Sequence, residues 1–325
     1  MAVEVADKGL VTVFGGSGFV GRHVVRALLR RGWRVRAAVR RPDLAGHLQP
    51  LGMVGWVQPV QANLRYRWSV DRAVEGADAV VNLVAIPYAS GRQTFETVHV
   101  FGARAVAEAT RKAGIGRLVH VSALGADPES QSNYARTKAR GEAAVHETLP
   151  DAVIMRPSIV FGPEDNFFNR FAGFARILPA LPLIGGGKTR FQPAFVGDVA
   201  RAIADSVEGR AKPGTTYELG GPEVLNFREC MEMILETTER KRLLVPIPFW
   251  LAAIKAGVLQ YLPKPLLTVD QVRQLRSDNV VSEAAISEKR TFAAFGIEPD
   301  TLASILPTYL TRFRARGQFE RRHPA

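Results

Sequence analysis

The sequence is poor in cysteine and has no long apolar run. Its 325 residues include one cysteine, Cys230, which excludes an internal disulfide and a cysteine-based metal cluster. No apolar stretch reaches the roughly 20 residues that a membrane-spanning helix needs. Residues 1–9 alternate acidic and apolar side chains, unlike a signal peptide. We therefore expect a soluble or peripheral protein without a metal site.

Lysine is also scarce, whereas arginine is abundant. The chain has 34 arginines and 9 lysines against 31 acidic residues, which gives a net charge of +12. This excess favours an anionic partner such as a nucleotide, a phospholipid or an acidic protein surface. Genomic base composition is the alternative explanation for the arginine content. Nucleic acid is not expected, because no binding module is visible and few aromatic residues interleave with the basic tail.

The first half of the chain alternates short apolar runs with amphipathic segments. Strands are predicted at Leu10–Gly15, Arg34–Arg40, Ala79–Val84, Leu118–Ser122 and Ala152–Arg156, and helices at Phe19–Arg31, Val70–Glu75, Phe101–Lys112 and Tyr134–Leu149. Alternation of this kind is typical of βαβ units. We expect an α/β fold with a Rossmann-type, doubly wound parallel sheet.

In the second half the alternation stops, and glycine, proline and aromatic residues become frequent. A helix is clearly predicted at Val199–Val207, with Asp198 at its N-cap position. We expect a dinucleotide-binding Rossmann domain over residues 1–160, completed by about 191–210. Residues 161–325 are predicted to form a smaller, irregular α+β domain that contacts a substrate or partner and ends in a basic tail.

A glycine-rich turn follows the first predicted strand and opens the first predicted helix. Its three glycines allow a tight turn, close approach of the backbone to a pyrophosphate and close helix packing. The helix start presents N–H groups and a positive dipole end to phosphates. A merely structural turn is the alternative. We predict dinucleotide binding by Gly15, Ser17, Gly18, Phe19, Val20 and Gly21.

Arginine follows the second predicted strand, where an NAD-preferring site carries Asp or Glu. Arg40 stands 19 residues after Gly21 and is followed by Arg41. A guanidinium binds a 2′-phosphate through paired hydrogen bonds, whereas a carboxylate repels it. Arg40 therefore favours NADP(H) over NAD(H), and Arg41 is better explained as a solvated surface residue.

Tyr134 and Lys138 are four residues apart on a predicted helix, and hence lie on one face. A neighbouring ammonium lowers the pKa of a phenol from its usual value of about 10. Such a tyrosine can exchange a proton with a substrate while hydride moves to or from a nicotinamide. We predict these two as catalytic residues, with a vestigial pair as the alternative.

Together these motifs resemble the extended and atypical short-chain dehydrogenase/reductases. The resemblance also rests on Arg156-Pro157-Ser158, on Phe161-Gly162-Pro163 and on residues 195–200. In that family the lysine also bonds the nicotinamide ribose, and the residues after the Arg-Pro pair line the nicotinamide side. The resemblance implies cofactor contacts by Asn63, Leu64, Ala85, Ser122, Tyr134, Lys138, Pro157 and Ile159.

Three positions depart from the family's pattern. Leu124 stands where the family carries a catalytic Ser or Thr, and Ser122 lies two residues earlier. Asn63 replaces the carboxylate often found near the adenine. His99 replaces an asparagine of the central helix, and no role is assigned to it. We expect an intact cofactor site and a degraded catalytic site, and it stays open whether Ser122 or Ser132 compensates.

The chain is most similar to one branch of this family, the dinucleotide-binding accessory subunits of respiratory complex I (NADH:ubiquinone oxidoreductase). The similar segments are 120–126, 132–138, 161–169, 192–199, 245–250 and 267–272. The resemblance implies that NADPH is held as a structural element and that the partners are other complex I subunits. It also implies a peripheral position on the cytoplasmic side of a bacterial inner membrane.

The C-terminal half contains a second indication of a membrane surface. Residues 249–262 are apolar apart from Lys255 and Gln260, and Trp250, Tyr261 and Lys264 are typical of the lipid headgroup region. Residues 310–325 carry five arginines against one glutamate. We expect contact with anionic lipid or an acidic protein surface. An ordinary core segment followed by a solvated tail is the alternative.

Three functions remain open from the sequence. The leading hypothesis is an NADP(H)-holding accessory subunit of complex I, because Leu124 replaces the catalytic serine. The second is a free-standing NADP-dependent reductase, dehydratase or epimerase, which would use Tyr134 and Lys138. The third is a redox sensor that reports the state of the cofactor to a partner.

Overall fold

The computed structural model describes residues 7–315. In this part of the chain the strands are β1 (Leu10–Phe14), β2 (Arg34–Val39), β3 (Val57–Gln61), β4 (Ala79–Asn82), β5 (Leu118–Val121), β6 (Val153–Pro157), β7 (Val160–Phe161), β8 (Ala180–Ile184), β9 (Arg190–Phe191), β10 (Ala194–Phe195), β11 (Thr216–Leu219), β12 (Leu225–Asn226) and β13 (Leu243–Ile247).

An α-helix follows each of the first five strands except β2, and from β7 onwards the described residues contain as many α-helices as strands. They are α1 (Phe19–Arg30), α2 (Arg67–Val74), α3 (Gly102–Lys112), α4 (Asn133–Thr148), α5 (Phe168–Ile177), α6 (Val196–Val207), α7 (Phe227–Thr237), α8 (Phe249–Leu259), α9 (Val269–Gln274), α10 (Glu283–Ser287) and α11 (Leu302–Leu310). A π-helical turn, Glu96–Phe101, runs directly into α3. Over residues 7–315, no helix is long and apolar enough to cross a membrane.

Seven strands form one parallel sheet in the order β11-β6-β5-β4-β1-β2-β3. Its central strands are apolar on both faces, and Val11, Val13, Val80 and Val81 are fully buried. Burial on both faces is typical of a parallel sheet that helices cover on both sides. The prediction of a Rossmann-type parallel sheet is confirmed.

The strand order reverses at β1, which pairs with β2 on one side and with β4 on the other. The chain therefore leaves the carboxyl ends of these strands in opposite directions and opens a crevice between them. In open α/β sheets a ligand binds in this crevice. Phe14, Val39 and Asn82 end the three strands that border it.

The described residues divide into two compact units. The first contains residues 7–157, Gly197–Leu219 and Ser282–Glu298, and with them the whole seven-stranded sheet. The second contains Ser158–Val196, Gly220–Val281 and residues 299–315.

Phenylalanine and aliphatic side chains together form the core of the second unit. Helices α5, α7 and α11 contribute to a cluster that includes Phe161, Phe168, Phe191, Phe227 and Leu306. The strand pairs β7–β10 and β8–β13 are parallel, and β9–β12 is antiparallel. The start of α7 is fixed by a capping box. The side-chain oxygen of Asn226 accepts the N–H of Glu229, and the carboxylate of Glu229 accepts the N–H of Asn226.

Three details of the elements differ from the sequence prediction. Helix α6 begins at Val196, so Asp198 lies in its first turn and not at the N-cap. Strand β6 extends to Pro157, whose carbonyl accepts the N–H of Leu124 at 2.9 Å. Strand β3 was not predicted because Pro59 interrupts its pattern. As an edge strand of the sheet, β3 tolerates a proline.

Candidate functional site

The glycine-rich turn connects β1 to α1 at the reversal point of the sheet. The N–H of Gly15 donates to the carbonyl of Ala38 in β2, and the N–H of Gly18 donates to the carbonyl of Gly15, both at 3.0 Å. Gly15 has φ +81°, a left-handed conformation that favours glycine. These bonds hold the turn tightly against the carboxyl ends of two strands.

Gly21 lets α1 pack directly against this turn. A Cβ at Gly21 would lie 2.7 Å from the carbonyl carbon and oxygen of Gly16, and closer still to the carbonyl oxygen of Gly15. Gly18 is the N-cap of α1 and makes no side-chain capping bond, and the first turn has no acidic residue. The helix start is therefore suited to an anion in the way that dinucleotide sites are.

Next to the turn lies a cavity of about 310 Å³, a size usual for a small-molecule site. Several predicted cofactor residues line it, namely Gly15, Ser17, Gly18, Arg40, Asn63, Leu64 and Ala85. Phe19, Val20 and Gly21 form the adjoining first turn of α1. The residues present therefore fit the adenosine and phosphate part of a dinucleotide.

Two arginines follow β2, and only Arg40 lines the cavity. Its Nη1 donates to Oε1 of Gln93 at 2.5 Å. Arg41 instead forms an ion pair with Asp43 at 2.6 Å, which raises the pKa of the guanidinium and lowers that of the carboxyl. The structure thus leaves Arg40 facing the cavity and Arg41 paired with Asp43.

Two further polar side chains line this cavity and were not predicted. They are Gln93, which accepts from Arg40, and the half-buried Arg65. The oxygen of the Asn63 side chain accepts the N–H of Arg65 at 3.2 Å, so a local turn aligns this segment after β3. Recognition of β3 as a strand would have placed Arg65 at the same sheet edge as Arg40.

Lys138 and Tyr134 lie on α4, but their acidities differ from the prediction. Lys138 is buried and its Nζ donates to the carbonyl of Val121 at 3.0 Å; burial lowers its pKa to about 8. Burial raises the pKa of Tyr134 to about 12. The prediction that Lys138 lowers the pKa of Tyr134 is wrong, because desolvation of the phenol is the larger effect.

Leu124, which stands where the family resemblance predicts a catalytic Ser or Thr, is buried. The hydroxyl of Ser132 caps α4 by accepting the N–H of Ala135 at 3.3 Å. In contrast, the hydroxyl of Ser122 is buried and has no hydrogen-bond partner among the described residues. The hydroxyl of Ser122 therefore has hydrogen-bonding capacity left for a ligand.

Two buried histidines lie near this end of the site. His99 bonds to Ile86 and Thr137, and burial lowers its pKa to about 3. His120 bonds to the amide of Asn82 at 3.1 Å, and burial lowers its pKa well below the usual value. Both rings are therefore neutral at physiological pH.

The last two predicted cofactor residues fall in different units. Pro157 ends β6 in the first unit, whereas Ile159 belongs to the second unit. Gly15, Arg40, Asn63 and the other cavity residues all belong to the first unit.

Comparison with known proteins agrees with this geometry. The chain is 32% identical over 310 residues to the mitochondrial NADH-ubiquinone oxidoreductase 40 kDa subunit of Neurospora crassa, covering 95% of this chain and 80% of that protein. It is 38% identical over 177 residues to a ceramide reductase of Caulobacter vibrioides, covering 54% of each protein. The fold is similar to that of the dTDP-glucose 4,6-dehydratase DesIV of Streptomyces venezuelae, with a TM-score of 0.70 and 22% identity over 94% of this chain and 96% of that one.

The remaining comparison concerns the family as a whole. Residues 11–220 match the NAD dependent epimerase/dehydratase family, a span that includes the glycine turn, the cavity and the Tyr134–Lys138 pair. This match covers more than half of the chain, and the Neurospora relative is matched over most of its own length. The chain therefore belongs to the NAD dependent epimerase/dehydratase family, the extended short-chain dehydrogenase/reductases.

Proposed function

We propose that this protein is an NADP(H)-holding accessory subunit of respiratory complex I, in which the cofactor is bound rather than turned over. The observation that carries the proposal is the contrast between the two ends of the site. The glycine turn and the cavity have what dinucleotide binding requires, whereas buried Leu124 occupies the position of the catalytic hydroxyl. The relation to the Neurospora subunit over 95% of the chain supports the same partner complex.

The preference for NADPH over NADH rests on Arg40. Its guanidinium lines the cavity and is bonded to a neutral side chain, Gln93, so it keeps a full positive charge for a 2′-phosphate. Arg40→Ala should weaken NADPH binding about tenfold or more and leave NADH binding nearly unchanged. Arg41→Ala is the matched control, because Arg41 is paired with Asp43 and should affect neither ligand. Equal losses for NADPH and NADH in calorimetric titrations would refute the assignment.

The holding role predicts that the bound nicotinamide does not exchange hydride. Leu124 is buried, stands where the catalytic hydroxyl is expected and cannot hydrogen-bond a substrate carbonyl. Incubation of the NADPH-loaded protein with a panel of ketones and aldehydes should produce no loss of absorbance at the reduced-nicotinamide band. Steady turnover of any carbonyl compound would contradict the holding role.

The partner proposal concerns the other subunits of complex I. In membranes of the source organism solubilised with a mild detergent, the tagged chain should migrate with NADH:ubiquinone oxidoreductase activity on native gels. Recovery of the whole population as a free monomer or dimer would contradict this part of the proposal and leave the cofactor assignment intact.

We further propose that the second unit docks at the membrane surface on the cytoplasmic side of the inner membrane. Helix α8 buries Ala252 and Ala256, yet its opposite face exposes Trp250, Ile254 and Val258 by 61–73%. An exposed apolar helix face of this size is normally covered by a partner or a membrane. The exposed Lys255 beside this face suits anionic lipid headgroups. The basic tail beyond residue 315 lies outside the described residues.

Vesicle sedimentation tests this membrane surface. Ile254→Glu should abolish binding of the full chain to vesicles that contain phosphatidylglycerol, because it places a negative charge on the apolar face. Ile286→Glu is the matched control, since Ile286 is also an exposed isoleucine, 59% accessible, but lies on α10 in the first unit. Equal binding by both variants and the wild type would contradict the assignment of this surface.

A free-standing NADP-dependent reductase is the second candidate function. It is favoured by the buried Lys138, by the unpartnered hydroxyl of Ser122 and by the relation to a reductase of Caulobacter vibrioides over 54% of the chain. In that case Tyr134→Phe would abolish turnover and leave NADPH bound.

A further inference from the structure

The wall of the cofactor cavity is formed in part by the loop that follows β4. Leu83, Val84, Ala85 and Ile86 of this loop all line the cavity. A loop of this kind keeps its shape only if its buried N–H groups have acceptors. The N–H of Leu83 donates to the carbonyl of Phe14 at 3.0 Å, and the N–H of Val84 donates to Oδ1 of Asn82 at 3.2 Å.

The next bond of the loop comes from a distant side chain. The N–H of Ile86 donates to Nε2 of His99 at 3.2 Å. A backbone N–H can only donate, so Nε2 carries no proton. In a neutral imidazole the proton is then on Nδ1, which donates to Oγ1 of Thr137 at 3.1 Å. The hydroxyl of Thr137 in turn donates to the carbonyl of Asn133 at 2.8 Å.

We propose that His99 is a positioning residue, which ties the cofactor wall at Ile86 to the helix that carries Tyr134 and Lys138. The proposal rests on the proposed function only in so far as the cavity holds a dinucleotide. It assigns a role to a residue that departs from the asparagine pattern of the family: a neutral imidazole offers one acceptor and one donor, as an amide side chain does.

The surroundings of His99 fix its ring and its backbone. The ring is 2% exposed, stacks on Phe95 at a centroid distance of 5.4 Å and meets Tyr134 edge-on at 5.2 Å. The backbone carbonyl of His99 lies against Gly141 of α4, where any Cβ would overlap it. The π-helical turn that carries His99 therefore contacts α4 through the backbone, and the two side-chain bonds extend this contact to the cavity wall.

Two substitutions separate the hydrogen bonds from the packing. His99→Phe keeps a ring between Phe95 and Tyr134 but removes both bonds. His99→Asn loses the ring and keeps an acceptor and a donor. We expect His99→Phe to raise the Kd for NADPH at least tenfold and His99→Asn to stay within about threefold of the wild type. Arg140→Ala is the control, because it breaks an exposed pair with Glu96 on the same turn without a bond to the wall.

Hydrogen exchange supplies a readout that a general loss of stability would not reproduce. In His99→Phe the peptide that contains Ile86 should exchange faster, whereas peptides of β1 and β5 should exchange as in the wild type. The proposal is overturned if His99→Phe binds NADPH normally, if His99→Asn is as damaging as His99→Phe, or if exchange increases throughout the first unit. If the wild type binds neither NADPH nor NADH, the proposed function and this inference fail together. Normal wild-type binding with no effect of His99→Phe refutes the inference alone.

Discussion

The substitution Gly21→Ala tests whether the turn between β1 and α1 is shaped for a pyrophosphate. The added Cβ would lie 2.7 Å from the carbonyl carbon of Gly16, whereas unstrained carbon atoms stay about 3.5 Å or more apart. The overlap is thus about 0.8 Å, and the obstructing atoms are backbone atoms that cannot rotate away. Either α1 or the turn must shift, and overpacking of this kind typically costs about 1–3 kcal/mol.

The expected loss of binding follows from the same displacement. A shift of the turn misplaces the N–H groups that face the phosphates, and a tenfold to hundredfold rise in the Kd for NADPH corresponds to about 1.4–2.8 kcal/mol. Titration calorimetry gives the Kd, and urea unfolding gives the free energy of unfolding. Gly257→Ala is the control, because Gly257 lies in α8 with no atom near its Cβ position; it should gain up to about 1 kcal/mol in stability and bind NADPH normally. Wild-type affinity in Gly21→Ala would refute the steric argument.

Other predictions concern stability, pH and specificity. Tyr309→Phe removes the hydroxyl that donates to Asp165 at 2.6 Å and should lower the free energy of unfolding in urea by about 1.5–3 kcal/mol. Lys138→Met should raise the free energy of unfolding below pH 8, because the lowered pKa of Lys138, about 8 instead of 10.5, means that its buried charge destabilises the folded chain; the gain should shrink between pH 8 and 10.5, where the folded lysine loses its proton before the unfolded one. His99→Asn should flatten the decline in the free energy of unfolding from about pH 6.5 to pH 4. Burial lowers the pKa of His99 to about 3, so in this range the histidine binds a proton only in the unfolded chain, and this proton uptake destabilises the wild type; an unchanged slope would contradict this. Arg65→Ala should weaken NADPH binding more than NADH binding in calorimetric titrations, and equal effects would exclude a contact between Arg65 and the 2′-phosphate.

The cofactor end of the site could be predicted from the sequence because its main parts are contiguous. Strand β1, the glycine turn and helix α1 follow one another without interruption over residues 10–30. Local rules of turn geometry and helix packing therefore apply directly. Arg40 could be added because it ends the next strand along the chain, which pairs with β1.

The remaining parts of the site depend on contacts between distant segments. Gln93 is 53 residues from Arg40, and the sequence offers no signal that the two side chains meet. Arg65 follows a strand whose pattern Pro59 interrupts. The role of His99 depends on a π-helical turn, which hydrophobic periodicity does not indicate. These contacts could therefore be identified only from the three-dimensional structure.

Burial explains why the predicted acidity of Tyr134 was wrong. The four-residue spacing correctly places Tyr134 and Lys138 on one helix, but spacing carries no information about solvent. In the structure both groups are desolvated, so each favours its neutral form: the pKa of Tyr134 rises to about 12 and that of Lys138 falls to about 8. A sequence pattern that is typical of catalysis thus does not establish the protonation state that catalysis needs.

Holding and turning over a dinucleotide place different demands on the two ends of this site. The residues proposed to bind the dinucleotide are those of the glycine turn, the cavity wall and Arg40, and all of them lie in the first unit. Turnover also needs a group that orients the substrate and a tyrosine that can change its protonation state. Burial raises the pKa of Tyr134 to about 12, so the phenol keeps its proton at pH 7. This phenol can donate a proton to a substrate carbonyl but cannot readily accept one, and Leu124 has no hydroxyl with which to orient that carbonyl. Because these two ends involve different residues, a chain with this arrangement can bind a dinucleotide without turning it over.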